Sequence, residues 1–231
     1  MKTYSKSIGI GVFGGIFLGI LILFFSELLQ VNPDTIADPI FKIGLCALFF
    51  VLLFNFMYIG FYRRKIRYTI QLLEEQKPEK ALEEMQKIYD QLNIKRQKHI
   101  ANVIRLNMTA AYCDMEEYSK AFQTLLEVKE DQLIGSELFV YILNTCACYF
   151  YLQRYDEFLD YYLQNQQLLY KYKDHKNYGG NVAVIKIFYL LMSKKREEAE
   201  SLFIKTKQEW KDPRLLTDYQ WIDAYLRQTK K

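Results

Sequence analysis

The chain has 231 residues, enough for about one or two ordinary domains. Its 31 basic and 27 acidic residues leave a net charge of +4, too small an excess for a nucleic-acid-binding surface. With 4 prolines and 10 glycines, breakers are scarce, which argues for an all-α protein over a sheet protein.

Residues 8–25 form an uncharged run long enough, as a helix, to cross the hydrocarbon core of a bilayer. Residues 43–62 form a second uncharged run, interrupted by Asn55. The connecting residues 26–42 carry Asn32, Pro33, Asp34, Asp38 and Pro39, and read as a turn. Asp38 is suited to cap the second helix and Pro39 to begin it. The expectation is a transmembrane helical hairpin over residues 1–62, with spans at about 8–25 and 40–62. Lys2 and Lys6 precede the first span, and Arg63, Arg64, Lys65 and Arg67 follow the second. The positive-inside rule then places both termini in the cytoplasm, with the four-residue basic cluster against anionic lipid headgroups. The compact hairpin and the lack of sorting signals point to an integral protein of a bacterial plasma membrane.

The first run contains Gly9, Gly11 and Gly14 in a GxGxxG pattern, but no strand precedes it, so it is not a dinucleotide site. Gly11, Gly15 and Gly19 recur every four residues and share one helix face, where a second helix can approach closely. That helix is the second span, another copy, or another membrane protein. Asn55 either hydrogen-bonds across such an interface or is a single tolerated polar residue.

Beyond Tyr62 there is no Gly or Pro until Pro78, so the second span is predicted to run unbroken into the first helix of a cytosolic domain, residues 63–231. A period follows. Tyr112, Tyr118 and Ala121 recur as Tyr149, Tyr155 and Phe158, each 37 residues on. In both stretches one helix ends before a short turn, residues 115–117 in the first, and another starts at the second tyrosine. Pro78 with Ala81, and Arg196 with Ala199, mark the same second-helix start. This pattern resembles the tetratricopeptide repeat. The resemblance covers about residues 64–211 and implies an α-solenoid of about four helix pairs. It departs from the family in three ways: the turns lack glycine, Phe158 replaces a small residue, and the units vary from 37 to about 41 residues. Residues 138–152 are apolar nearly all round and should form the innermost helix. Asp212 and Pro213 open a last amphipathic helix, residues 215–228, carrying Leu216, Tyr219, Trp221, Ile222 and Tyr225, which caps the stack.

The resemblance also implies a site. First helices of such pairs line a concave face. Asn107 and Asn144 hold the same inward position, and Asn181 keeps that face in a unit about one turn longer. In the family such asparagines grip the backbone of an extended peptide, because an amide both donates and accepts. Otherwise they bond neighbouring helices or are solvated. Phe150, Tyr151 and Phe188 offer side-chain pockets or ordinary core packing.

No catalytic framework is evident. His99 and His175 are the two histidines. Cys146 and Cys148 point apart on a helix, and with Cys46 and Cys113 they read as small core or membrane residues. No metal ligand set and no cofactor motif is expected. The chain is therefore expected to be a membrane-anchored scaffold or adaptor, not an enzyme, binding a protein or peptide segment in the concave groove. The alternative is a structural accessory subunit of a larger membrane complex, for transport or division, assembled through the glycine-rich first span.

Overall fold

The computed structural model describes residues 33–94 and 97–228, together with Glu27. By its internal contacts the chain divides into two compact units, Met1–Arg63 and Arg64–Lys231. Among the described residues there are nine α-helices and no strand.

Helix α1, Pro33–Glu74, starts earlier than the sequence implied and passes through Asp38 and Pro39 without a break. Pro33 opens the helix, where a missing N–H has no helical partner, whereas Pro39 lies beyond the first turn and forgoes one helical hydrogen bond. Most of the exposed large apolar side chains among the described residues lie on this helix, and Phe56 is 78% exposed.

The two-span expectation is overturned. Among the described residues no helix is long and apolar enough to cross a membrane. Asn55 interrupts the apolar part of α1. Arg63, Arg64, Lys65 and Arg67 follow that part directly. The integral location in a plasma membrane, with cytoplasmic termini, falls with the spans. So does the basis for a headgroup role of the basic cluster, in which Lys65 Nζ donates to Gln91 Oε1 at 3.3 Å. The first apolar run with Gly11, Gly15 and Gly19, and the side chain of Asn55, lie outside what is described.

The second unit contains the end of α1 and then α2 (Pro78–Asp90), α3 (Lys98–Asp114), α4 (Tyr118–Leu126), α5 (Ser136–Tyr151), α6 (Tyr155–Lys171), α7 (Gly179–Met192), α8 (Arg196–Glu209) and α9 (Leu216–Gln228). The second helices start at Pro78, Tyr118, Tyr155 and Arg196, where the sequence placed them. Consecutive helices pack together from α2 to α9, and α3, α5 and α7 also pack on one another. Helix α5 touches α3, α4, α6 and α7 and buries Phe139, Ile142, Cys146, Cys148 and Phe150. That burial accounts for its apolar surface. Of the cysteines, Cys146 and Cys148 are buried, Cys113 is half-buried and Cys46 is exposed.

The same turn joins each helix pair. Gln76, Glu116, Gln153 and Lys194 have φ of 57°, 60°, 59° and 61°. In each turn the left-handed residue and its successor donate their N–H groups back to the two carbonyls that close a Schellman motif. These are Leu73 and Leu72, Cys113 and Tyr112, Phe150 and Tyr149, and Leu191 and Leu190, at 2.8–3.1 Å. The spacings of 40, 37 and 41 residues match those of Ala81, Ala121, Phe158 and Ala199, all 0% exposed. Phe158 fits where the others have alanine because its ring packs edge-on against Phe150 at 5.5 Å.

Glycine is absent from these turns but required at Gly179. A Cβ there would lie 2.4 Å from the Trp210 ring and 2.5 Å from the Lys173 carbonyl oxygen. Two opposite outcomes are expected in urea unfolding followed by fluorescence of Trp210 and Trp221. Gln153→Gly removes about 1–2 kcal/mol of left-handed strain and incurs about 0.5–1 kcal/mol of backbone entropy. It should leave the fold unchanged or stabilise it by up to about 1.5 kcal/mol. Gly179→Ala should destabilise by about 1–3 kcal/mol through overpacking. A destabilising Gln153→Gly would contradict the turn geometry.

Candidate functional site: an asparagine-lined acidic groove

One groove of about 540 Å³ crosses the second unit. Its walls come from Ile70 and Leu73 of α1, Ala110 of α3, Val140 and Ala147 of α5, and Val184 and Ile185 of α7. Pro213 and Arg214 before α9, and Thr217 and Asp218 in its first turn, also line it. The first helix of each pair thus contributes to it.

Asn107, Asn144 and Asn181 all line this groove. Asn107 and Asn144 precede the left-handed turn residues Glu116 and Gln153 by the same nine positions, whereas Asn181 precedes Lys194 by thirteen. The difference is about one helical turn, so the face is kept. Their bonding differs. Asn107 Nδ2 donates to the Val103 carbonyl of its own helix at 2.8 Å. Asn144 is only 9% exposed, and among the described residues its Nδ2 has no hydrogen-bond partner. Next to it, Thr145 is fully provided for, its hydroxyl donating to the Tyr141 carbonyl at 2.8 Å. A buried amide with an idle donor costs about 1–3 kcal/mol; on the same helix Glu137 Oε2 is the other buried side-chain atom without a partner among the described residues.

The aromatic candidates separate. Phe150 is 1% exposed and belongs to the core, stacked on Phe188 at 3.7 Å. Phe188 is fully buried and reaches the groove only as part of its floor. Tyr151 lines the groove, stacks on Tyr118 at 4.2 Å, and donates its hydroxyl to Asp218 Oδ1.

The charges at this end were not singled out from the sequence. Asp114 closes α3, Glu116 occupies the left-handed turn, and Asp218 comes from the first turn of α9. Among the described residues none of the three forms an ion pair. Arg214 lies in the same groove, but Asp212 neutralises it at 2.6 Å, which holds Asp212 below its ordinary range and Arg214 above. Burial pushes Asp218 up to about 6, helped by the neighbouring charges of Asp114 and Glu116 and opposed by the Tyr151 hydrogen bond. Asp114 is exposed by its surface area, yet protein lies close around its carboxyl. Desolvation raises it to about 6, with Arg214 pulling the other way. Cys113 also faces the groove. A thiol–thiol hydrogen bond with Cys148, then burial, push its pKa well above the ordinary range, so it stays a protonated, poor nucleophile. Among the described residues no group of three His, Cys, Asp or Glu converges to hold a metal ion.

No family model matches the chain, and no curated protein and no solved structure matches it.

The two raised carboxyls make stability pH-dependent. An unfolded Asp titrates near about 3.9, so between about pH 4 and 6 the folded chain holds more protons than the unfolded one. Stability from these groups therefore falls as pH rises through that window. The penalty is complete above about pH 6 and absent below about pH 4. Asp218→Asn keeps an acceptor for Tyr151 and removes the charge. It should raise the thermal midpoint at pH 7.5 and leave it unchanged at pH 4. An equal shift at both pH values in scanning calorimetry would rule out the electrostatic origin.

Proposed function

We propose that this chain is a protein-binding module whose second unit, a stack of tetratricopeptide-like helix pairs, takes an extended segment of a partner protein into its asparagine-lined groove. The unpartnered, nine-tenths-buried Nδ2 of Asn144 carries this reading. Asn144 lines the groove, and a turn of its buried amide presents the idle donor to an acceptor from outside. Peptide backbone supplies such acceptors at regular spacing, whatever its side chains. The apolar walls from Val140, Ala147 and Val184 add contact without demanding one particular side chain. The reading favours binding over catalysis because the groove's one thiol is held protonated.

The test uses the full chain and a positional-scanning library of N-acetylated, C-amidated decapeptides, read by fluorescence polarisation. The wild-type chain should retain a subset of sequences. Asn144→Leu should bind that subset about tenfold more weakly, the usual loss of one buried hydrogen bond. It should be at least as resistant to urea as the wild type, because an apolar side chain leaves no donor unmet. A library that yields no binder, or binders indifferent to Asn144→Leu, would sink the proposal.

A further inference from the structure

The asparagines form one row across the first helices, and a second feature runs beside it. Asp114 lies seven residues after Asn107 on α3, and Tyr151 lies seven after Asn144 on α5. Seven residues of helix rise about 10 Å, so the ends of α3 and α5 stand roughly two turns from the amide row. Asp218 is tied to that edge through the Tyr151 hydroxyl. The carboxylates of Asp114, Glu116 and Asp218 therefore gather there, with the Arg214 charge already taken by Asp212.

We infer that the segment bound in this groove carries a lysine or arginine whose cation sits between Asp114 and Asp218 while Asn144 donates to the segment's backbone. The inference rests on the peptide-binding reading above and adds the chemistry of the ligand. Two independent observations meet in one cavity: unpaired acids and an idle amide donor. The acids ask for positive charge, and the amide asks for a carbonyl. A bare metal ion satisfies the first alone, and no three ligands converge among the described residues. A basic residue within a chain satisfies both. Its long stem covers the offset between the amide row and the acidic edge, and its cation is a hydrogen-bond donor throughout.

The groups around the cation set the pH response. Asp114, Glu116 and Asp218 attract it, Glu74 of α1 and Glu79 of α2 line the same groove and add to the negative charge, and Arg214 with Asp212 is close to neutral as a pair. The tyrosines Tyr118 and Tyr151 are pushed up by burial and remain uncharged. Selectivity for a basic residue should therefore strengthen as pH rises from 5 to 7.5 and the two aspartates ionise.

The decapeptide library separates this inference from the reading beneath it. Enrichment of Lys and Arg at one position is expected. Exchanging that residue for Gln should weaken binding about tenfold or more, as for a charge-assisted hydrogen bond. In the D114N/D218N double variant the Lys and Gln peptides should bind alike, whereas in N144L both should weaken together and keep their ratio. If the double variant does not fold, the wild-type chain still decides, through Lys, Gln and Glu versions of the best peptide at 50 and 500 mM NaCl. Screening should erode the preference for Lys. Binders with no basic preference would overturn the inference and leave the peptide reading standing. A library with no binders at all would overturn both. Displacement of the best peptide by millimolar magnesium, without loss in sodium of equal ionic strength, would show the acids to be a metal site and would also overturn it.

Discussion

Phe150 of α5 stacks ring on ring with Phe188 of α7, and Trp221 of α9 meets both edge-on, at 4.8 and 5.4 Å. The candidate site depends on this cluster. Helix α5 must be covered on every side, because it has no polar stripe to give to water. Its neighbours α3, α4, α6 and α7 supply the cover, and the stacking of α3, α5 and α7 builds the groove wall. Trp221 then fixes α9 to the same core. Asp218 precedes it by about one helical turn, so the ring that docks α9 also delivers the carboxylate to Tyr151. The hydrophobic contact and the electrostatic feature are mechanically one arrangement.

The second unit spends its stability unevenly. Many of its ion pairs lie on exposed helix faces at spacings of three or four residues, such as Lys87 with Glu83 and Glu84. Such pairs contribute little and cost little. The groove is different. There Asn144 keeps an idle donor, and Asp114 and Asp218 titrate near 6 because ionising them is penalised. Neither is needed for packing, since Thr145 beside Asn144 shows how a polar residue on α5 can be satisfied locally. The groove thus holds unmet interactions that a ligand can complete, while Glu137 and Tyr161 keep unpartnered oxygens outside it.

Much of the local architecture was legible in the chain. Pro78, Tyr118, Tyr155 and Arg196 begin helices as expected, and Ala81, Ala121, Phe158 and Ala199 are all fully buried. That Asn107, Asn144 and Asn181 share a face was legible too, from the 37-residue offset and the one extra helical turn in the last unit. Three readings were not. Phe150 and Tyr151 were treated alike, but one residue is about 100° of rotation, and that sends Phe150 into the core and Tyr151 into the groove. The lack of glycine in the turns looked like a departure, yet Gln76, Glu116, Gln153 and Lys194 adopt the left-handed conformation regardless. The Schellman hydrogen bonds and the packing of both helices outweigh the strain of a side chain there. The membrane hairpin was read from the length of uncharged runs, and among the described residues no helix bears it out.

What the sequence determined by itself is what neighbouring residues decide: helix starts, the spacing of 40, 37 and 41 residues, and which side chains share a face. These follow from backbone sterics and a periodicity of 3.6, which act over a few residues. The acidic edge belongs to the tertiary structure. Asp114 and Asp218 are about a hundred positions apart, carry no motif, and look like two solvated charges among 27 acidic residues. Only the docking of α9 against α5 and α7 brings them into one space, because that contact joins Trp221, near Asp218 in the chain, to Phe150 and Phe188, which are distant from both.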